Sequence, residues 1–434
     1  MFRFKRGAPL AVATAAALAL AFTISAPPAG AQENVPDFFV DESKLPFGPP
    51  TNGVSTTRLF GVHANAGYRI EVPDSWNGKL VLYAHGFRGD GPELTVSNPR
   101  IRNFLVSNGF AWAASSYSKN RYDVKAGVKD TMALVQLFNG KVGKPDRVYI
   151  HGHSMGGHVT GVAIEQYPKV FDGAMPMCGV MGDVALFDFF LDFNLVAQAV
   201  AGFPAQFPPD DNFFFNVITQ IVPALGSPYP TVLSEAGETL KAVTRNLSGG
   251  PRPTFDLAFF FWNSDLTAPA PGLPFLFGLG NGDGTINGIA PGNVTDNEDR
   301  VYQIDTDPAL NPDEVVLNDT VLRVSHDAQG RHPEGLANIP PITGKLPVPV
   351  VTIHTLGDLF VPFSMEQIYA RRAASFGKAD RLVSRAIRDV RHCGFAVQEE
   401  EQSFADLVDW VENGSKPAGD DILDPDTVAQ PDFG

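Results

Sequence analysis

The sequence predicts an α/β fold with a mostly parallel sheet, helices on both faces and one large insertion. Strand-like and helix-like runs alternate over residues 57–178. The rhythm breaks from about Gly179 to Pro347, in a stretch rich in Phe, Pro and Gly, and resumes from Val350 to Val411. Alternation of this kind builds a parallel sheet, because parallel neighbours need a crossover that is usually a helix. One core, residues 32–178 and 348–414, interrupted by a cap at 179–347, explains the pattern better than two domains in series.

After a Pro-rich lead, three short strands are expected at Arg58 to His63, Tyr68 to Val72 and Leu80 to Ala84. Asn65-Ala66-Gly67 and Asn77-Gly78 separate them as turns, the second carrying a hairpin signal. Ile101 to Ser107 reads as a helix and Phe110 to Ser115 as an apolar strand. Val124, Val128, Met132, Val135 and Phe138 recur at helical spacing. A strand at Arg147 to His151, a helix at Gly156 to Tyr167 stopped by Pro168, and a strand at Phe171 to Met177 complete the first half. Beyond the insertion come a strand at Val350 to His354, a helix at Met365 to Phe376, a strand at Leu382 to Ile387 and a helix at Glu399 to Val411. The insertion holds nine Phe between Phe187 and Phe215 and the run Phe259-Phe260-Phe261-Trp262. These side chains suit either the insert's own core or the lining of an apolar pocket. Residues 415–434 are acidic and read as a mobile tail.

Composition narrows the function. The 434 residues carry 33 Lys and Arg against 48 Asp and Glu, a formal net charge of −15, which excludes a general nucleic-acid binder. With 44% hydrophobic and 19% charged residues, global disorder is excluded as well. The one apolar run approaching membrane length stands at the start. Arg3, Lys5 and Arg6 precede an Ala/Leu-rich stretch from Pro9 to Ser25, and Ala29-Gly30-Ala31 supplies a small-residue cleavage pattern before Gln32. Residues 1–31 are therefore expected to be a signal peptide. An uncleaved anchor is disfavoured by Pro27 and Pro28. The expected product is secreted, extracellular or periplasmic, with no stable membrane association. An oxidising compartment permits a disulfide between Cys178 and Cys393, the only cysteines, with two buried thiols as the alternative.

The chemistry concentrates at Gly152-His153-Ser154-Met155-Gly156. This G-x-S-x-G follows an apolar strand and opens a helix, the context of a sharp turn that lifts a nucleophilic serine clear of a sheet. Small residues at 152 and 156 let the backbone pass close to its neighbours. A serine needs a base, and the base needs an orienting acid. Asp358 lies on the loop after the strand from Val350, between Gly357 and Pro362. His392 lies on the loop after the strand from Leu382, where it can reach over the sheet edge. Asp183, just past the strand ending near Met177, competes for the acid's role. His326 and His332 fall in a polar stretch of the cap and read as surface residues. His151, His153 and His158 resemble a metal cluster on paper, but strand and helix positions aim them apart, so no zinc site is expected. An anionic intermediate needs two N–H donors. Met155 supplies one, and Phe87, in Ala84-His85-Gly86-Phe87-Arg88-Gly89, the other; Arg88 is either solvated or a contact for a substrate carboxylate. Gly280-Asn281-Gly282-Asp283-Gly284 lacks the terminal ligands of a calcium loop and reads as a turn.

Together these residues resemble the α/β-hydrolase superfamily, over 57–178 and 348–412. The resemblance implies an eight-stranded sheet with the active site at the strands' carboxyl ends beneath the cap. Within the superfamily the chain is similar to secreted bacterial serine esterases and amidases with a large lid. Cys178 ends the strand after the nucleophile's helix and Cys393 adjoins the expected base, so a bridge between them would pin the His loop to the sheet. The expected function is hydrolysis of a carboxylic ester through an acyl-enzyme, on an apolar or aromatic substrate, with no cofactor and no metal. The same machinery acting on an amide or peptide, or passing the acyl group to an alcohol, is the nearest alternative. A non-catalytic binding protein on the same fold is the alternative of another class.

Overall fold

The computed structural model describes residues 38–210, 212–264, 276–277, 292–332 and 338–434. The expected signal peptide and the Gly-rich turn at 280–287 lie outside the described residues. Eight strands form the main sheet: β1 (Thr56–His63), β2 (Ala66–Pro73), β3 (Lys79–Ala84), β4 (Ala111–Ser115), β5 (Arg147–His153), β6 (Gly173–Met177), β7 (Val350–Thr355) and β8 (Leu382–Ile387). Their spatial order is β1-β2-β4-β3-β5-β6-β7-β8, with β2 antiparallel to both neighbours and every other pair parallel.

The β1–β2 hairpin turns at Ala64 and Asn65, both at positive φ. The hairpin signal at Asn77-Gly78 has a different outcome. Gly78 does turn the chain, with φ 81, yet β2 and β3 are not partners. β4 lies between them, because Leu80 to Tyr83 pair in parallel with Ala111 to Ala114. Turn chemistry specifies the bend, and the apolar match of β3 and β4 decides who pairs.

Helices cover both faces, as the apolar strands require. α1 (Arg102–Ser107) packs on one face, α2 (Val124–Lys141) and α3 (Met155–Gln166) on the other. Within the insertion lie α4 (Ala185–Val200), α5 (Thr219–Leu225), α6 (Glu235–Leu247), α7 (Phe255–Trp262) and α8 (Pro312–Thr320). Two more core helices follow, α9 (Ser364–Ser375) beside α2 and α3, and α10 (Val397–Asn413) beside α1. The end of α10 is a glycine cap: Gly414 sits at φ 75 and its N–H donates to Trp410 O at 3.0 Å.

Phe187, Phe189 and Phe190 of α4 are buried in the main core, whereas Phe193, Phe213, Phe255 and Phe259 are buried in a second core within the insertion. Phe215 and Phe260 are exposed. Most of the Phe excess thus builds cores, and the insertion shares α4 with the sheet it covers.

The expectation of a mobile tail at 415–434 is corrected by the structure. Ile422, Val428 and Phe433 are buried against Leu356, Phe363 and Ala386. Asp420 N–H donates to Ser384 O at 2.8 Å, and the Asp420 carboxylate accepts from Ala386 N at 2.8 Å, so the segment covers the β8 edge. The acidic composition hid three well-spaced apolar anchors.

Beneath β5, α10 places Glu400 against two imidazoles. Its carboxylate is fully buried, 3.8 Å from His151 Nδ1 and 3.4 Å from His153 Nε2. Burial pulls the His151 imidazole from its ordinary 6.5 down to about 4, with the Glu400 charge opposing and His153 adding. Between those values an unfolded chain binds a proton that the folded chain refuses. This contribution to stability is therefore complete above about pH 6.5 and is lost as pH falls toward 4. At pH 5 the loss from this one group is about 2 kcal/mol. Urea melts of wild type and His151→Gln at pH 7 and pH 5 check this: the drop in unfolding free energy is expected to be smaller in the variant by that amount, and equal drops refute it.

Candidate active site

The residue read as nucleophile sits at a sharp turn between β5 and α3. Ser154 separates β5 from α3 with φ 59 and ψ −123, a conformation costly for any residue with a Cβ. The glycines on either side explain how the turn closes. A Cβ on Gly156 would lie 2.1 Å from Ala84 O, and one on Gly152 would lie 2.3 Å from Gly156 O. Ser154 N–H donates to Met177 O at 3.0 Å, which ties the turn to the end of β6. Its own carbonyl accepts from Gly157 N at 2.8 Å and His158 N at 3.3 Å, starting the helix. The first-turn N–H groups of α3 thus face the serine, where they favour negative charge.

The loop after β3 lies directly against this turn. A Cβ on Gly86 would be 3.2 Å from Ser154 Cβ and 3.7 Å from its Oγ. Neither Phe87 N–H nor Met155 N–H donates to another protein group among the described residues. His85 stacks on Tyr117 with ring centroids 3.9 Å apart, and its Nδ1–H donates to Gly86 O at 2.6 Å. Burial pulls His85 down to about 3, helped by the Arg88 charge, so it is a neutral brace of the loop. Arg88 donates to Thr95 O at 2.7 Å, to Thr95 Oγ1 and to Ser97 Oγ at 2.6 Å. It is therefore partly buried and held by its own loop, with no carboxylate in ion-pair distance among the described residues.

Asp358 and His392 meet. His392 Nδ1–H donates to Asp358 Oδ2 at 2.5 Å. The other oxygen, Oδ1, accepts from the N–H groups of Phe360 and Val361, each at 2.9 Å, in a turn that fixes the carboxylate. Asp358 is fully buried. Gly357 allows the two loops to cross, since a Cβ there would lie 2.7 Å from Val390 Cα. Thr355 Oγ1 donates to Arg391 O at 2.7 Å and ties the His loop to the end of β7. The other ring nitrogen of His392, Nε2, is buried with no hydrogen-bond partner among the described residues, so the Ser154–His392 bond is not made here. Such bonds are often long before substrate binds. The edge of Phe360 meets the imidazole at 5.2 Å between centroids and 70° between planes.

The competing assignments separate cleanly. Asp183 accepts from Arg372 Nη1 at 2.6 Å and Ile342 N at 3.0 Å, and does not face His392. His326 is exposed and paired with Asp296 at 2.5 Å, and His332 is exposed. His158 lies between Tyr122 Oη at 2.9 Å and Pro340 O at 2.7 Å, on the α2 side of the sheet, whereas His151 and His153 face Glu400 on α10. The three rings diverge.

Cys178 and Cys393 are joined, with Cα atoms 5.3 Å apart and 215 residues between them in sequence. Cys178 follows β6 and its N–H donates to Ile353 O at 2.8 Å, so one sulfur is anchored in the sheet. The other adjoins His392. Among the described residues, Cys178, His392 and Cys393 are the one group with metal-ligand atoms within 4.8 Å of one another, but both sulfurs are spent in the bridge. Residues that sequence reading missed surround the acid: His354, Glu366, Arg252 and Trp262. Each acts across at least one element boundary, and nothing in local spacing marks them.

Comparison with known proteins agrees with this arrangement. Residues 107–206 match the prolyl oligopeptidase family. An o-phthalyl amidase from Xanthobacter agilis is 24% identical over 401 residues, covering 81% of this chain and 86% of that one. Among solved structures, a feruloyl esterase B from Aspergillus oryzae aligns with TM-score 0.49 at 14% identity, over 89% of this chain and 86% of its own. A tannin acyl hydrolase from Aspergillus niger aligns with TM-score 0.48 at 12% identity, over 87% of each chain. The strand order and the strand–turn–helix at Ser154 are those of an α/β-hydrolase fold, and the match over residues 107–206 and the amidase relative make the chain similar to hydrolases of the esterase, amidase and peptidase kind.

Proposed function

We propose that the chain hydrolyses a carboxylic ester or amide through an acyl-enzyme formed on Ser154. The observation that carries this is the Asp358–His392 pair, held at 2.5 Å with Nε2 buried, on a loop bridged through Cys393 and Cys178 to the strand end that also holds the strained Ser154 turn. In this reading Ser154 Oγ attacks the carbonyl as His392 Nε2 takes its proton. Asp358 fixes the tautomer, because its Oδ2 can accept only from an Nδ1 that carries hydrogen. The N–H groups of Phe87 and Met155 receive the oxyanion. His392 returns the proton to the leaving alcohol or amine, and water resolves the acyl-enzyme by the same route. The substrate is aromatic on its acyl side: Phe360 faces the base, and Phe190 and Trp262 stand behind it at 6.3 Å each.

The amide reading has one specific observation in its favour. The similar protein from Xanthobacter agilis is named for cleaving an o-phthalyl amide, and the likeness spans 86% of its length. We further propose export, supported by the leader-like residues 1–31 and by a bridge that a reducing cytosol would not maintain.

A fluorophosphonate is expected to add once to the folded protein, and Ser154→Ala to abolish the adduct, read by intact mass. An ester and anilide panel with short, long and aromatic acyl groups then ranks ester against amide, and faster turnover of the aromatic acyl group is expected. No adduct on folded wild-type protein refutes the nucleophile. The bridge gives a separate test. Cys178→Ala with Cys393→Ala is expected to lose about 2–4 kcal/mol of stability and to lower kcat more than KM, because the His loop loses its tether. Two titratable thiols in native wild type refute the bridge.

A further inference from the structure

The cap does more than cover the site; two of its side chains hold the loops that carry the acid and the base. Arg252, just before α7, is 7% exposed and reaches out of the insertion. Its Nε–H donates to Leu356 O at 2.5 Å, Nη1 to Gly250 O at 2.8 Å and Nη2 to Ser248 Oγ at 2.9 Å. Leu356 stands two residues before Asp358. Trp262, the last residue of α7, is 6% exposed, and its indole N–H is shared between Gly357 O at 2.9 Å and Val390 O at 2.7 Å. Gly357 adjoins Asp358, and Val390 stands two residues before His392. One N–H therefore spans both loops. The segment is anchored in turn to the core, since Ser364 N–H donates to Ser248 O at 3.0 Å and Gln367 Nε2 to Gly249 O at 3.2 Å.

We propose that Arg252 and Trp262 are positioning residues: Trp262 sets the spacing of the acid and base loops, and Arg252 fixes the end of β7 from which the Asp358 turn departs. The proposal rests on the reading of Ser154, His392 and Asp358 as a triad.

The charges around the pair come from several elements. On β7, His354 Nε2 lies 3.9 Å from Asp358 Oδ2 and donates to Val361 O at 2.8 Å, while its Nδ1 faces Glu366 of α9 at 3.2 Å. Burial works against a charged His354, but Glu366 and Asp358 outweigh it and the group is raised. His354 and Glu366 thus compensate one another. Arg252 has no carboxylate within ion-pair distance among the described residues. Burial pulls its guanidinium down to about 9, the Asp358 charge opposes this and Arg245 adds to it, so Arg252 stays charged at neutral pH.

The test compares wild type with Arg252→Met, Arg252→Lys and Trp262→Phe, using an aryl ester and the rate of fluorophosphonate labelling from pH 5 to 9. Arg252→Met is expected to lower kcat roughly tenfold to a hundredfold with KM within about threefold. Arg252→Lys keeps a donor toward Leu356 O and is expected to restore most of that loss. Trp262→Phe should lower kcat about tenfold with KM within about threefold, because it removes the indole donor shared by the two loops. A folded Arg252→Met with wild-type kcat and labelling rate overturns the role of Arg252. Should that variant fail to fold, Trp262→Phe with wild-type kcat overturns the proposal instead. Absence of labelling in wild type sinks the triad reading itself and is distinguished from these outcomes by needing no variant.

Discussion

The close passage of backbone at Ala84, Gly152 and Gly156 is the constraint on which the rest of the site depends. Two carbonyl oxygens occupy the space that a methyl group would need at either glycine. This contact draws β5 and α3 into one sharp corner and holds Ser154 at positive φ. It also presses the end of β3 onto that corner, which brings the His85–Gly89 loop beside the serine. The strain at one residue is carried by eight parallel and antiparallel strands that leave the corner no room to relax. Moving any of these backbones outward would separate Ser154 from the loop at Gly86 that lies against it.

The site was legible where the chemistry follows strand ends. Ser154 and Asp358 each stand just past a buried strand that an apolar run marks in the sequence, and His392 follows the half-buried β8. The partner of each turn was less legible. Asn77-Gly78 encodes a bend, but pairing is decided by β4, which lies more than 30 residues downstream of β3's start and slots between β2 and β3. The end of the chain was misread for a compositional reason: Ile422, Val428 and Phe433 are diluted by aspartates, and three anchors suffice to dock a segment along an edge strand. Arg252 was invisible for a further reason. Within Gly249-Gly250-Pro251-Arg252 it has the appearance of a solvated turn residue, and its acceptor, Leu356 O, is 104 residues away.

Asp358 shows how a buried carboxylate is made directional. Backbone amides of its own turn take Oδ1, leaving Oδ2 to a single partner. The division removes the ambiguity that two equivalent oxygens would present to the imidazole. Charge compensation is spread over groups that cannot compete for that oxygen. His354 is engaged with Glu366 and Val361, and the guanidinium of Arg252 is engaged with carbonyl and hydroxyl groups. Burial costs an isolated carboxylate several kcal/mol, and here the neighbours offset it without loosening the alignment.

The position of α4 has a mechanical consequence. Its first turns are packed into the sheet's core and its last turns into the insertion's own core, through one unbroken helix from Ala185 to Val200. A lid that swings needs a soft joint between two bodies. Here the joint is spanned by a stiff spar cemented at both ends, so rigid rotation of the whole insertion would tear one core or the other.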